Sequence, residues 1–148
     1  LPGSQWRRVL LRCFGADIGS KVVIKPRVRV KYPWHLRIGD YCWIGEYAWI
    51  DNLDWVCIDS NVCISQGVYL CTGNHDYRDP SFPYRLGAIR VESEAWICAM
   101  SSVAPGITVG RGAILGLGSV ALSSLEPLTR YQGNPAVPIG PRVHQRLS

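Results

Sequence analysis

Aliphatic residues recur along this chain at a step that belongs to neither a helix nor a long strand. They fall at Ile18, Ile24, Val30, Ile38, Ile44, Ile50, Ile58, Ile64, Leu70, Val91, Ile97, Val103, Val109 and Leu115. Of the thirteen gaps between them, ten are six residues, two are eight and one is twenty-one. A helix repeats at about 3.6 residues and a strand at about two. A step of six fits a short strand followed by a turn, over and over. The position four after each aliphatic is often apolar or small, as at Val22, Val28, Cys42, Ala48, Val62, Val68, Ala95, Ile107 and Ala113. Each short strand therefore has two residues to point inward. Glycine follows the aliphatic directly at Gly19, Gly39, Gly45, Gly110 and Gly116, and comes three later at Gly67, Gly73, Gly106, Gly112 and Gly118. Glycine takes positive φ without steric cost, so both sets are expected where the chain turns a corner.

With three strands to a circuit, a coil takes about eighteen residues and stacks on the next at about 4.8 Å. The pattern predicts an all-β parallel β-helix of about five triangular coils over residues 18–126. The long gaps follow the third, sixth and ninth aliphatic, so the insertions 33–36, 53–56 and 72–90 should lie above one another on one edge. Residues 1–17 form an N-terminal segment in which 6–14 (WRRVLLRCF) reads as a short amphipathic helix capping the open core. The rival reading of that helix is a membrane-surface contact. Residues 127–148 leave the repeat and are expected to form an irregular tail.

Composition narrows the setting. The chain has 148 residues, 47% hydrophobic and 18% charged, the balance of one folded domain with extensive burial. Its six cysteines show neither CxxC nor zinc-site spacing, so they read as free thiols of a reducing cytoplasm. No apolar run reaches the ~20 residues of a membrane span, and no signal peptide is expected. The net charge of +5 is spread over scattered Lys and Arg, with no nucleic-acid motif, and leaves an anionic small molecule as a suitable partner.

The tandem (I/V/L)-G-x-x-(small)-x units, the sequence TGNHD at 72–76, AWICAMSSVAPGITVG at 95–110 and YQGNPAVPIG at 131–140 together resemble the hexapeptide-repeat acyltransferases. Within that family the resemblance points to the acetyltransferases of exopolysaccharide synthesis of the colanic acid type. It implies a left-handed β-helix, a homotrimer with sites in the clefts between prisms, and acetyl-CoA as acyl donor to a hydroxyl of a sugar or polysaccharide precursor. A non-catalytic β-helix for assembly or binding is the alternative. A γ-class carbonic anhydrase needs three zinc-binding histidines, and this chain offers only His35, His75 and His144, spread from coil to tail.

Read by itself, His75 is a loop histidine beside a turn-forming Asn74. The resemblance makes it the catalytic histidine, a neutral imidazole that takes the acceptor's proton. Asp76 then either orients that ring or caps the turn. By the same resemblance Trp96 packs beside the pantetheine arm, Ala99 and Leu117 meet it through backbone hydrogen bonds, and Gly116 keeps the approach open. Relatives place a lysine and an arginine near the CoA phosphates where this chain has Ser123 and Val137; Arg142 or Arg130 is the candidate replacement. For the acceptor, Asp51, Asn52, Trp55, Asn74 and Asp76 are the candidate contacts, because aromatic faces flanked by carboxylates and amides suit a sugar. The plainer reading is that Trp34, Trp43, Trp49 and Trp55 pack between protomers.

Overall fold

The computed structural model describes residues 2–143; His144 and the four residues after it lie outside the described part. The repeat builds a three-sided parallel β-helix. The first face stacks Asp17–Ile18, Leu36–Ile38, Val56–Ile58, Ile89–Val91 and Thr108–Val109. The second stacks Val23–Ile24, Trp43–Ile44, Cys63–Ile64, Trp96–Ile97, Ile114–Leu115 and Thr129–Gly133. The third stacks Arg29–Val30, Trp49–Asp51, Tyr69–Cys71, Ser102–Val103 and Val120–Ala121.

Register follows the six-residue step. Ile24, Ile44, Ile64, Ile97 and Leu115 pair in sequence up the second face. Their side chains are at most 2% exposed, so each contributes roughly 1.5–3 kcal/mol of burial. Of the residues predicted four places after an aliphatic, all are buried except Val28, which is partly so.

The coils continue further than an aliphatic search can see. Five are complete. Leu125 then bridges to Val109, and Tyr131 pairs with Leu115 on the second face, which makes two sides of a sixth. Alanine at 121 and tyrosine at 131 occupy core positions, both buried. Where an irregular tail is expected, Ala136–Pro141 folds back antiparallel on Thr129–Gly133 and edges the sheet.

The two glycine sets have different causes. Three places after the core residue the backbone is left-handed at successive corners, at Lys21, Arg27, Tyr41, Tyr47 and Asn61 as well as at Gly67, Gly106, Gly112 and Gly118; Gly73 departs from the set, with no positive φ, because it opens the strand Gly73–His75. Directly after the core residue no positive φ is needed. There a side chain would strike the next coil: a Cβ on Gly45 would lie 2.5 Å from the backbone N of Gln66.

Helix α1, Pro2–Cys13, covers the open end. Its polar side chains pair the exposed edge of the first coil. Ser4 Oγ accepts from the Ile24 amide at 2.8 Å, Arg7 donates to the Ile24 carbonyl at 3.2 Å, and Arg12 donates to the carbonyls of Ile18 and Gly19. An edge that would otherwise template another strand is thereby closed.

Candidate active site

All three insertions fall at the corner between the third and first faces, as the gap pattern requires. Inserted backbone must find hydrogen-bond partners, and two inward polar side chains supply them. Asn52 Nδ2 donates to the Tyr32 carbonyl at 2.7 Å while its Oδ1 accepts from the Tyr32 amide at 3.0 Å. One coil on, Thr72 Oγ1 donates to the Asp51 carbonyl and accepts from the Asp54 amide, both at 3.0 Å. Both side chains are fully buried. The ridge above them gathers aromatic rings: Tyr32 stacks on Trp34 at 4.9 Å, and His35 lies 5.3 Å from Trp55.

The longest insertion is a β-hairpin, with Gly73–His75 antiparallel to Tyr84–Leu86 and His75 opposite Tyr84. His75 is clamped there. Its ring stacks on Phe82 at 4.2 Å, nearly parallel at 9°, and Tyr84 lies tilted beside it at 4.5 Å. Its Nδ1 is 2.8 Å from the Phe82 carbonyl oxygen. A carbonyl only accepts, so Nδ1 carries the proton and Nε2 of the neutral ring presents a lone pair. Such a ring is held in one orientation.

Asp76 serves the hairpin and not the imidazole. Its Oδ1 accepts from the Arg78 amide at 3.1 Å, and its carboxylate pairs with Arg78 at 3.3 Å and Arg85 at 3.1 Å. The Arg78 amide, seconded by the two guanidinium groups, holds its carboxyl below the usual carboxylate value. Of the two roles open to Asp76, turn capping is the one the contacts favour. The residue that orients His75 is Phe82, through a main-chain atom that no side-chain motif announces.

At the foot of the hairpin, on the third face, a groove of about 380 Å³ is lined by Tyr69, Cys71, Asn74, Ser102, Ala104 and Pro105. Below it Asp51 accepts from the Tyr69 hydroxyl at 2.9 Å and pairs with Lys31 at 3.1 Å. Burial, with Cys71 and the Asp51 carboxylate alongside, pushes the Tyr69 phenol up.

The candidate cofactor residues divide among three corners. Trp96 stands on the second face, its indole N–H donating to Ser65 Oγ at 2.9 Å. Ala99, Gly116 and Leu117 follow at the corner between second and third faces. There the amides of Ala99 and Leu117 donate to no atom among the described residues, one coil apart, with Met100 and Leu117 each 66% exposed beside them. Free amides flanked by apolar side chains fit a pantetheine arm, which carries amide groups on an aliphatic chain.

Four expectations are revised here. Gly116 is small because Tyr131 and Gln132 of the next coil occupy the space a Cβ would fill, so coil packing and not ligand access explains it. Arg142 sits at a different corner, its guanidinium donating to the carbonyls of Glu94 at 2.7 Å and Gly112 at 3.1 Å. Ser123 lies at the third corner, following Val120–Ala121. Arg130, by contrast, pairs in register with Ile114 directly above Trp96 on the second face. Asn52, with both ends of its amide engaged and no exposure, is a scaffold residue and no acceptor contact.

His75 and the free amides thus stand on opposite edges of the third face. No one chain brings them together.

No family model matches the sequence. Among individual proteins, the chain is 42% identical over 139 residues to the protein named as the colanic acid biosynthesis acetyltransferase WcaF of Escherichia coli (strain K12), spanning 94% of this chain and 76% of that one. The chain belongs to the WcaF family of acetyltransferases. Solved structures agree with this membership at the level of fold. A hexapeptide-repeat acetyltransferase of Vibrio cholerae, complexed with acetyl coenzyme A, superposes with a TM-score of 0.88 at 23% identity, over 95% of this acetyltransferase and 78% of that chain. A galactoside acetyltransferase in complex with coenzyme A gives 0.87 at 22% identity, over 94% and 71%. No helix among the described residues of this WcaF-family chain is long and apolar enough to cross a membrane.

Proposed function

We propose that this WcaF-family protein is a cytoplasmic homotrimeric O-acetyltransferase that moves an acetyl group from acetyl-CoA to a hydroxyl of a sugar or polysaccharide precursor, with His75 as general base. One observation carries the reading: the Phe82 carbonyl fixes the His75 proton on Nδ1 and leaves Nε2 free to accept another. The acceptor hydroxyl gives its proton to Nε2 as its oxygen attacks the thioester carbonyl carbon. The new C–O bond forms, the C–S bond breaks, and the imidazolium returns the proton to the departing sulfur. Acetyl-CoA supplies the activated acyl group; the chain supplies base, orientation and exclusion of water.

The split between His75 and the free amides supports an intersubunit cleft, in which the hairpin of one protomer meets the Ala99–Leu117 corner of the next. The Arg130 guanidinium, in the same column as Trp96, is the described cation placed to meet the CoA phosphates. Acceptor contacts fall to Asn74 in the groove, and to Asp51 and Trp55 on and under the ridge.

A thiol-release assay with acetyl-CoA and deacetylated exopolysaccharide tests the base. His75→Ala is expected to lower kcat by about 10²–10⁴-fold with little change in the KM for acetyl-CoA. Equal turnover by both proteins would remove the catalytic role from His75, and none by either would favour binding or assembly.

A further inference from the structure

The chain is electrically lopsided along its axis. Residues 1–39 hold nine Lys and Arg against one acidic residue, whereas residues 40–148 hold seven against ten. Because the coils stack in chain order, that excess of positive charge lies at the α1 end, on the helix and the first coil. The rest of the prism is weakly negative.

The same end carries uncovered apolar surface. The inward side of α1 is occupied by Ser4, Arg7 and Leu11, against the first coil. The outward side presents Trp6, Val9 and Leu10, at helical spacing, and is continued by Phe14; these are 58, 52, 42 and 60% exposed. Beside the stripe a groove of about 580 Å³ runs between helix and coil, lined by Trp6, Leu10, Leu11, Val28 and Val30, with Arg27 and Arg29 at its rim. Large apolar residues gathered on one exposed helix face mark a contact surface.

We infer that α1 and the first coil dock this protein on an anionic lipid surface. Tryptophan, phenylalanine and leucine on the outward face enter the headgroup–acyl boundary, while Lys21, Arg27 and their neighbours meet negative headgroups. A second copy is a poor occupant, because two ends of the same strong positive charge repel. The negative remainder of the chain is repelled by the same surface, so the prism stands on its cap. The root of the hairpin then lies three coils up, ~14 Å above the helix. On the proposed function, that height suits an acceptor sugar presented from a lipid.

Co-sedimentation of the full chain with vesicles tests the inference independently of any turnover. Vesicles of phosphatidylcholine containing about one-third phosphatidylglycerol are expected to bind at least tenfold more tightly than phosphatidylcholine alone, with the difference lost in high salt. Trp6→Ser with Val9→Ser, and separately Lys21→Gln with Arg27→Gln, are each expected to weaken binding about tenfold while the circular dichroism spectrum and Tm stay unchanged. Those substitutions leave the Ser4, Arg7 and Arg12 bonds intact. Absence of binding by the wild type, indifference to lipid charge, or undiminished binding by the Trp6/Val9 variant would overturn the proposal. So would self-association, in sedimentation velocity, that the same variant abolishes. Acetyl transfer failing while vesicle binding persists would count against the proposed function and not against the docking.

Discussion

A single methyl group distinguishes the two kinds of glycine in this coil. Gly45→Ala would set a Cβ against backbone atoms of the next coil, 2.5 Å from Gln66 N and 2.6 Å from the Ser65 carbonyl carbon, where nothing can swing aside. Urea unfolding should show a loss of about 2 kcal/mol or more. Gly106→Ala meets no atom within 4 Å and bears only its left-handed φ of +77°, so it should cost about 1 kcal/mol. Equal losses would contradict the distinction. A second residue-scale test exploits the corner itself. Pro26 occupies the place on the first coil that Ala99 and Leu117 occupy on later ones, two after the core residue, so the backbone there accepts proline. Leu117→Pro removes one free amide without disturbing the coil, and should raise the KM for acetyl-CoA about tenfold with kcat nearly unchanged. Unchanged KM would separate that amide from the cofactor. Sequence could propose His75 and the two amide positions, because those are residues in a motif. It could not propose the Phe82 carbonyl, since every residue carries one and only the hairpin's geometry selects it.

At the scale of elements, the hairpin is the part least dictated by the repeat. Its polar strands bury little: Tyr84, Arg85 and Leu86 are all exposed. Local bonds hold it instead, with Asp76 tied to Arg78 and Arg85 at one end and Thr72 accepting from the Gly87 amide at 2.9 Å at the other. Because folding lowers the Asp76 pKa from 3.8, its contribution is full above that value and is lost as pH falls through the lower folded one. Amide order parameters over residues 73–86 should therefore drop between about pH 5 and pH 1 in the wild type. Asp76→Asn should show the lower values throughout. A wild-type hairpin equally rigid at both pH values would contradict the role given to the carboxylate. The position of this insertion was legible from spacing, and so was its shared edge with 33–36 and 53–56. Its pairing as a hairpin was not, because GNH and YRL lack the alternation of a buried strand. The sixth coil escaped for a related reason. Its core place is taken by Tyr131, whose hydroxyl accepts from the Glu126 amide at 3.0 Å while its ring is buried, and a search for aliphatic residues passes over it.

At the largest scale, the described residues form a prism whose two candidate edges do not meet. The second-to-third corner offers free amides, the third-to-first ridge offers an imidazole, and a full face lies between them. On the proposed function, a threefold ring of prisms would bring the corner of one protomer to the ridge of the next, so that a closed cyclic assembly would complete a site that each subunit holds in halves. The triangular section and single ridge were legible in the sequence; the separation of the two halves emerges only when the faces are assigned. Mixed trimers test the shared site most directly. Assayed at acetyl-CoA well below the wild-type KM, chains carrying His75→Ala and chains carrying Ala99→Pro with Leu117→Pro should each be nearly inactive alone. Dissociated, mixed in equal amounts and reassembled, they should recover about one quarter of wild-type activity, because one junction in four joins an intact hairpin to an intact corner. Recovery near that level is the predicted result, and a mixture no more active than its two parents would contradict a site shared between subunits.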